Sequence, residues 1–140
     1  MDFNADQMRK DALIPEGRYK FRVKDAREKR SAAGNDMINL KLGLSVEGRN
    51  VFLWDSLILT PKMFWKIEHF CEATGLNEAL ANGRLMAQDC LDKEGYLDIV
   101  QKIDSQTGVL DNQVKDYAMP ELEAKNDDII PFDEDIPNFA

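Results

Sequence analysis

Apolar and charged residues alternate along the stretch from Arg18 to Lys24. Tyr19, Phe21 and Val23 share one face, and Arg18, Lys20, Arg22 and Lys24 share the other. Period 2 predicts a β-strand with one apolar and one cationic side. Residues 25–35, with Arg27, Lys29 and Arg30, read as a basic loop that closes on a Gly34-Asn35 turn. A second alternating run follows. Ile38, Leu40, Leu42, Leu44 and Val46 face one way, and Asn39, Lys41, Gly43 and Ser45 the other. Glu47-Gly48-Arg49-Asn50 reads as a hairpin loop, and Val51 to Leu59 as a third strand with large residues on both faces.

Thr60-Pro61 predicts a helix start, with Thr as cap and Pro at the first helical position. Met63, Phe64, Ile67, Phe70, Cys71 and Thr74 then follow a helical stripe that ends at Gly75, and Trp65 falls off it. Residues 76–92 read as a short helix and loops. Gly95–Ile103 and Val109–Tyr117 complete the count as strands around the loop 104–108. Residues 1–14 are mixed, fitting an N-terminal arm or one helical turn. Pro120 closes the domain 15–120, and 121–140 reads as an acidic disordered tail. Strand, strand, strand, helix, strand, strand is the order of a five-stranded OB-fold barrel, so a mainly β fold is expected. That architecture binds ligands on strands two and three and on the loops 25–36 and 104–112.

The chain has 140 residues, which suits one domain with a modest core. It contains no apolar run of membrane-spanning length, and Met1 to Asp6 lacks the features of a secretory signal. Cys71 and Cys90 show no ligand spacing and fit reduced thiols in a cytoplasmic protein. The net charge of −8 changes meaning once it is localised. Residues 121–140 hold −6 of it, whereas 18–30 carry seven basic and two acidic residues. Local field rather than total charge decides where a polyanion docks.

These features point to single-stranded nucleic acid. Arg18, Lys20, Arg22, Lys24, Arg27, Lys29, Arg30, Lys41 and Lys115 are the phosphate-contact candidates. Phe52 and Trp54, on one face of the third strand, are stacking candidates, as are Tyr117 and Tyr96; Tyr19 is expected in the core. The cations could instead protect an edge strand, and the aromatics could form a second small core. One histidine, His69, argues against a metal site of the usual kind, and no nucleophile elbow or phosphate loop occurs. No enzyme, cofactor or metal is expected.

Several segments resemble the single-stranded DNA-binding proteins of tailed bacteriophages. They are Ile14-Pro15-Glu16-Gly17-Arg18-Tyr19, Gly34-Asn35-Asp36-Met37-Ile38, Leu59-Thr60-Pro61-Lys62, Gln113-Val114-Lys115-Asp116-Tyr117 and Asp127-Asp128-Ile129-Ile130-Pro131-Phe132. The last is similar to the acidic tip with which bacterial relatives recruit replication and repair enzymes. A near copy, Asp135-Ile136-Pro137-Asn138-Phe139, follows it. The resemblance implies a non-enzymatic protein of the host-cell cytoplasm that coats single-stranded DNA during replication, recombination or repair. Partners would dock on Asp127, Asp128, Ile130, Pro131, Phe132, Ile136, Pro137 and Phe139. Monomer and homodimer both remain open, as does DNA against RNA. The alternative is a protein-binding adaptor or DNA mimic directed at a host protein.

Overall fold

The computed structural model describes residues 1–119, so every tail residue named above lies outside the described residues. The fold is mainly β. One antiparallel five-stranded sheet is built from β1 (Gly17–Arg30), β2 (Asp36–Val46), β3 (Arg49–Ile58), β4 (Glu94–Ile103) and β5 (Leu110–Ala118), in the order β3-β2-β1-β4-β5. Tyr19, Phe21 and Val23 of β1 are buried, and so are Ile38, Leu40, Leu42 and Leu44 of β2. Burying the apolar face of each strand is the main stabilising term and sets which side of the sheet faces solvent.

The basic segment 25–30 is strand rather than loop. It pairs with 36–41, and only Ser31–Asn35 turn. The register shifts between Val23 and Asp25, leaving Lys24 as the extra residue of a β-bulge. The bulge reverses the alternation. Val23 is inward before it, Ala26 packs on the core after it, and Glu28 shares the inward side and accepts the Ala87 N–H at 3.0 Å.

The hairpin between β2 and β3 is also tighter than the four-residue loop expected. Val46 pairs with Arg49, and the turn is Glu47-Gly48 alone, with φ of 51° and 79°. Two consecutive positive φ values match the twist of the flanking strands, which is why Gly is favoured there.

The helix expected after Thr60-Pro61 and the short helix expected within 76–92 form a cluster of one 3₁₀ turn and three α-helices. A 3₁₀ turn at Pro61–Met63 leads into α2 (Phe64–Thr74), followed by α3 (Asn77–Asn82) and α4 (Ala87–Cys90). The helix α1 (Ala5–Ala12) precedes the sheet. The α2 helix buries Ile67, Phe70 and Cys71, and Gly75 ends it at φ 80°. Gly95 lets β4 approach α2, because a Cβ there would stand 2.9 Å from the Ala73 carbonyl oxygen.

Two placements differ from those expected, one at a domain boundary and one at a stacking candidate. Ile14 belongs to the core rather than to an arm. Its N–H donates to Asn112 Oδ1 at 2.9 Å, and its carbonyl accepts from Asn112 Nδ2 and Gln101 Nε2. Tyr117 is 3% exposed and has no face to offer a base. It lies edge-on to Phe21 and Phe70, with ring centres 5.5 and 5.0 Å away. Its hydroxyl donates to Asp55 Oδ2 at 2.7 Å, which joins the terminal strands β5 and β3. Burial, followed by the Asp55 charge, pushes its phenol well above the ordinary tyrosine range.

Cys71 and Cys90 are free, buried thiols. Burial pushes them up to about 11 and about 12, with help from Glu72 and from Cys71 and Asp89 respectively. An unfolded chain ionises near its ordinary value of about 8.5. Below that pH both states hold the protons, and the contribution to stability is constant. Above it the unfolded chain releases protons that the fold retains, so stability falls as pH climbs toward the folded values. Urea midpoints should therefore drop from about pH 9 upward, by up to about 1.4 kcal/mol per pH unit for each thiol. Iodoacetamide at about pH 8 should label both cysteines in urea and neither in the fold. Native labelling at the unfolded rate would contradict this.

Candidate nucleic-acid interface

The outward face of β1, β2 and β3 carries three aligned rows. Gly43 of β2 stands between Arg22 and Phe52, Lys41 between Asp25 and Trp54, and Asn39 between Arg27 and Ser56. The bulge at Lys24 brings Asp25 and Arg27 onto this face, and the two-residue turn puts Lys41 opposite Trp54. Trp54 is 69% exposed and Phe52 37%. The Lys41 ammonium lies 4.5 Å from the Phe52 ring centre and 5.8 Å from that of Trp54. A cation over a ring face is attracted by the ring quadrupole, and Gly43 has no side chain to intervene. Lys41 thus tethers both rings while keeping its charge at the surface.

Polar groups complete the face. Ser56 Oγ donates to Asn39 Oδ1 at 2.8 Å. Arg27 Nε donates to Asp25 Oδ2 at 3.0 Å, which holds the Asp25 carboxyl below the usual range, and the Ala26 N–H adds to the effect. Arg30 reaches the Gly34 carbonyl at 3.0 Å and lies 3.7 Å from Asp36, while Arg27, Lys29 and Arg30 are all exposed. The β1–β2 hairpin therefore carries three exposed cations, of which Arg27 is paired with Asp25 and Arg30 lies near Asp36.

The other predicted cations are placed differently. Arg18 grips Asp98 with two hydrogen bonds of 2.8 and 3.1 Å. Lys20 lies 3.7 Å from Glu94, and Arg22 donates to the same carboxylate. Three of the four alternating cations of β1 thus form a charge ladder with β4, where neighbouring carboxylates offset much of their field. Lys24 occupies the bulge. Lys115 is exposed beside a register shift in β5, at the far end of the strand order from Trp54. Tyr96 is half-buried on β4, opposite Lys20. Trp65 lies edge-on to His69, whose Nδ1 is 2.9 Å from both Asp116 carboxylate oxygens.

Asn39 was expected on the face of Lys41 but not as a candidate site residue, and Ser56 and Asp25 were not expected there. Strand alternation alone puts Asn39 beside Lys41, but its partner depends on the register. Among the described residues no cluster of three or more potential ligands could hold a metal ion, and no helix is long and apolar enough to cross a membrane. No protein-family model and no curated protein matches the chain.

Proposed function

We propose that the chain binds single-stranded DNA without strong dependence on sequence context, through the outward face of β1, β2 and β3. The observation that carries this reading is the Lys41–Phe52–Trp54 group. Two rings stand on one exposed face, one strand step of about 7 Å apart, with a cation between them. Successive bases have π-faces to stack on such rings, and their phosphates need cations alongside. Arg27, Lys29 and Arg30 are far more exposed than Arg18, Lys20 and Arg22 and are suited to follow the backbone even though Asp25 and Asp36 stand beside two of them.

The strand order, together with the Tyr117–Asp55 hydrogen bond, supports an OB-type barrel. In that architecture strands two and three form the binding face. The protein coats DNA and catalyses nothing. It serves replication, recombination or repair in the cytoplasm, and the acidic segment 121–140 recruits partner proteins through its Ile and Phe anchors.

The test is intrinsic tryptophan fluorescence of the full chain during titration with oligo-dT at low and high salt. Quenching is expected, with a Trp54→Phe variant separating Trp54 from Trp65. Affinity should fall linearly in log–log form by about 0.7 per neutralised phosphate. Magnesium should produce no strand cleavage. If a labelled oligonucleotide also fails to bind at low salt, the interface reading is lost and a protein-binding adaptor takes its place.

A further inference from the structure

We infer that the apolar cavity between the end of β3, α2 and α3 seats the Ile and Phe anchors of this chain's own acidic segment, Asp127 to Phe132. The docking depends on neither DNA binding nor partner recruitment. None of the residues lining the cavity belongs to a strand, so the seat is separate from the face of β1, β2 and β3.

The cavity holds about 560 Å³. Leu59, Pro61, Phe64, Ile67, Leu80 and Leu85 line it, and Leu59 and Phe64 are 37% and 48% exposed. A hollow of this size with mostly apolar walls is what a ligand site needs. Among the described residues, Arg84 is the one charged side chain that lines it, and Arg84 is exposed. Lys62, also exposed, adjoins Pro61 in the chain. The walls therefore suit an occupant with bulky apolar side chains and negative charge beside them.

The segment beyond the described residues has that pattern. Asp127 and Asp128 precede Ile129, Ile130 and Phe132, and Asp135 precedes Ile136 and Phe139. It also starts within reach. The Met119 carbonyl accepts from Arg18 at 3.2 Å, and Ala118 and Met119 share a hollow with His69 and Glu72 of α2. Phe64 and Ile67 of the same helix line the cavity. Phe132 lies 13 residues past Met119, a contour of about 43 Å. Passing round a helix about 10–12 Å wide and along part of its length uses less than that. Charge alone would draw the segment equally to Arg27, Lys29 and Arg30. Burial of Ile130 and Phe132 favours the cavity. Seated there, the anchors are withheld from a partner protein until a tighter site competes for them.

Tryptic cleavage after Lys125 in the native full chain tests this, because a docked 127–132 cannot enter the protease as an extended strand. Phe132→Ala combined with Phe139→Ala should speed that cut about tenfold, as cleavage tracks the undocked fraction. Arg84→Glu, at an exposed position, should speed it about two- to fivefold. Backbone amide spectra locate the contact. Between the unaltered chain and the Phe variant, shifts should fall on Leu80, Gly83 and Arg84. A cleavage rate unchanged by these substitutions overturns the inference. Shifts confined to Lys41, Gly43 and Trp54 overturn it in favour of the strand face. Protection that fades on dilution assigns the cavity to the segment of a second copy and overturns the same-chain seat.

Discussion

Replacing Asp55 by alanine is expected to lower the unfolding free energy by about 3–5 kcal/mol. That is a large part of the stability of a domain this size. Asp55 accepts from Tyr117 Oη at 2.7 Å and pairs with Lys66 Nζ at 2.7 Å, and both ion-pair side chains are only 13% exposed. The carboxylate thus ties together β3, β5 and α2 at one point. Removing it leaves the Lys66 ammonium with only the Ser56 carbonyl at 3.3 Å and the phenol with no side-chain acceptor, both largely shielded from water, and the cost of such groups exceeds the net worth of the bonds lost. Tyr117→Phe should cost only about 1 kcal/mol, since the ring packing survives. Asp55→Leu combined with Lys66→Met should recover most of the Asp55→Ala loss, because no charge is left unpaired. Urea unfolding of the four proteins checks this. An Asp55→Ala loss below about 1 kcal/mol would mean that solvent reaches the pair freely.

The strands that bury an apolar face were legible because alternation is local. Ile38 through Leu42 needed no knowledge of the rest of the chain, whereas Gly43 and Ser45, on the outward face of the pattern, are buried as well. What was not legible depends on residues distant in sequence. Residues 25–30 look like a loop because their inward positions after the bulge are Ala26 and Glu28. Glu28 stays exposed and meets the Ala87 N–H, a partner far along the chain that no local pattern shows. The cations of β1 looked like a single phosphate track because Glu94 and Asp98 lie far along the chain. Only the antiparallel pairing of β1 with β4 sets them alongside.

Register decided the candidate site. A four-residue loop at Glu47–Asn50 would pair Val46 with Val51 and set Lys41 opposite Ser56. The two-residue turn moves the pairing by two positions, keeps every residue on its face, and sets Lys41 opposite Trp54 and Asn39 opposite Ser56. Alternation could therefore identify the face but not the neighbours on it. Tyr117 shows the converse limit. On a nearly polar strand it looked available for stacking, yet Phe21 and Phe70 of other elements enclose it.

Trp54→Ala is expected to weaken single-stranded DNA binding by roughly 1–3 kcal/mol, about 5- to 150-fold in Kd, while leaving the fold intact. The ring is exposed and contributes little to the core, so its removal should change stability by no more than about 0.5 kcal/mol. The salt dependence should keep its slope, because stacking releases no counterions. Lys41→Met should behave in the opposite way. It removes a charge, so the slope should shrink by about 0.7 if Lys41 meets one phosphate. It also frees both rings from their tether, so the affinity loss of the double variant should be smaller than the sum of the two single losses. Trp65→Ala, on the α2 helix beside His69, should leave affinity near that of the unaltered chain. The decisive comparison is Trp54→Ala with Trp65→Ala under one salt condition. Equal losses would place the strand between α2 and β3 instead of across β1, β2 and β3. Loss confined to Trp65→Ala would move the interface to the helix.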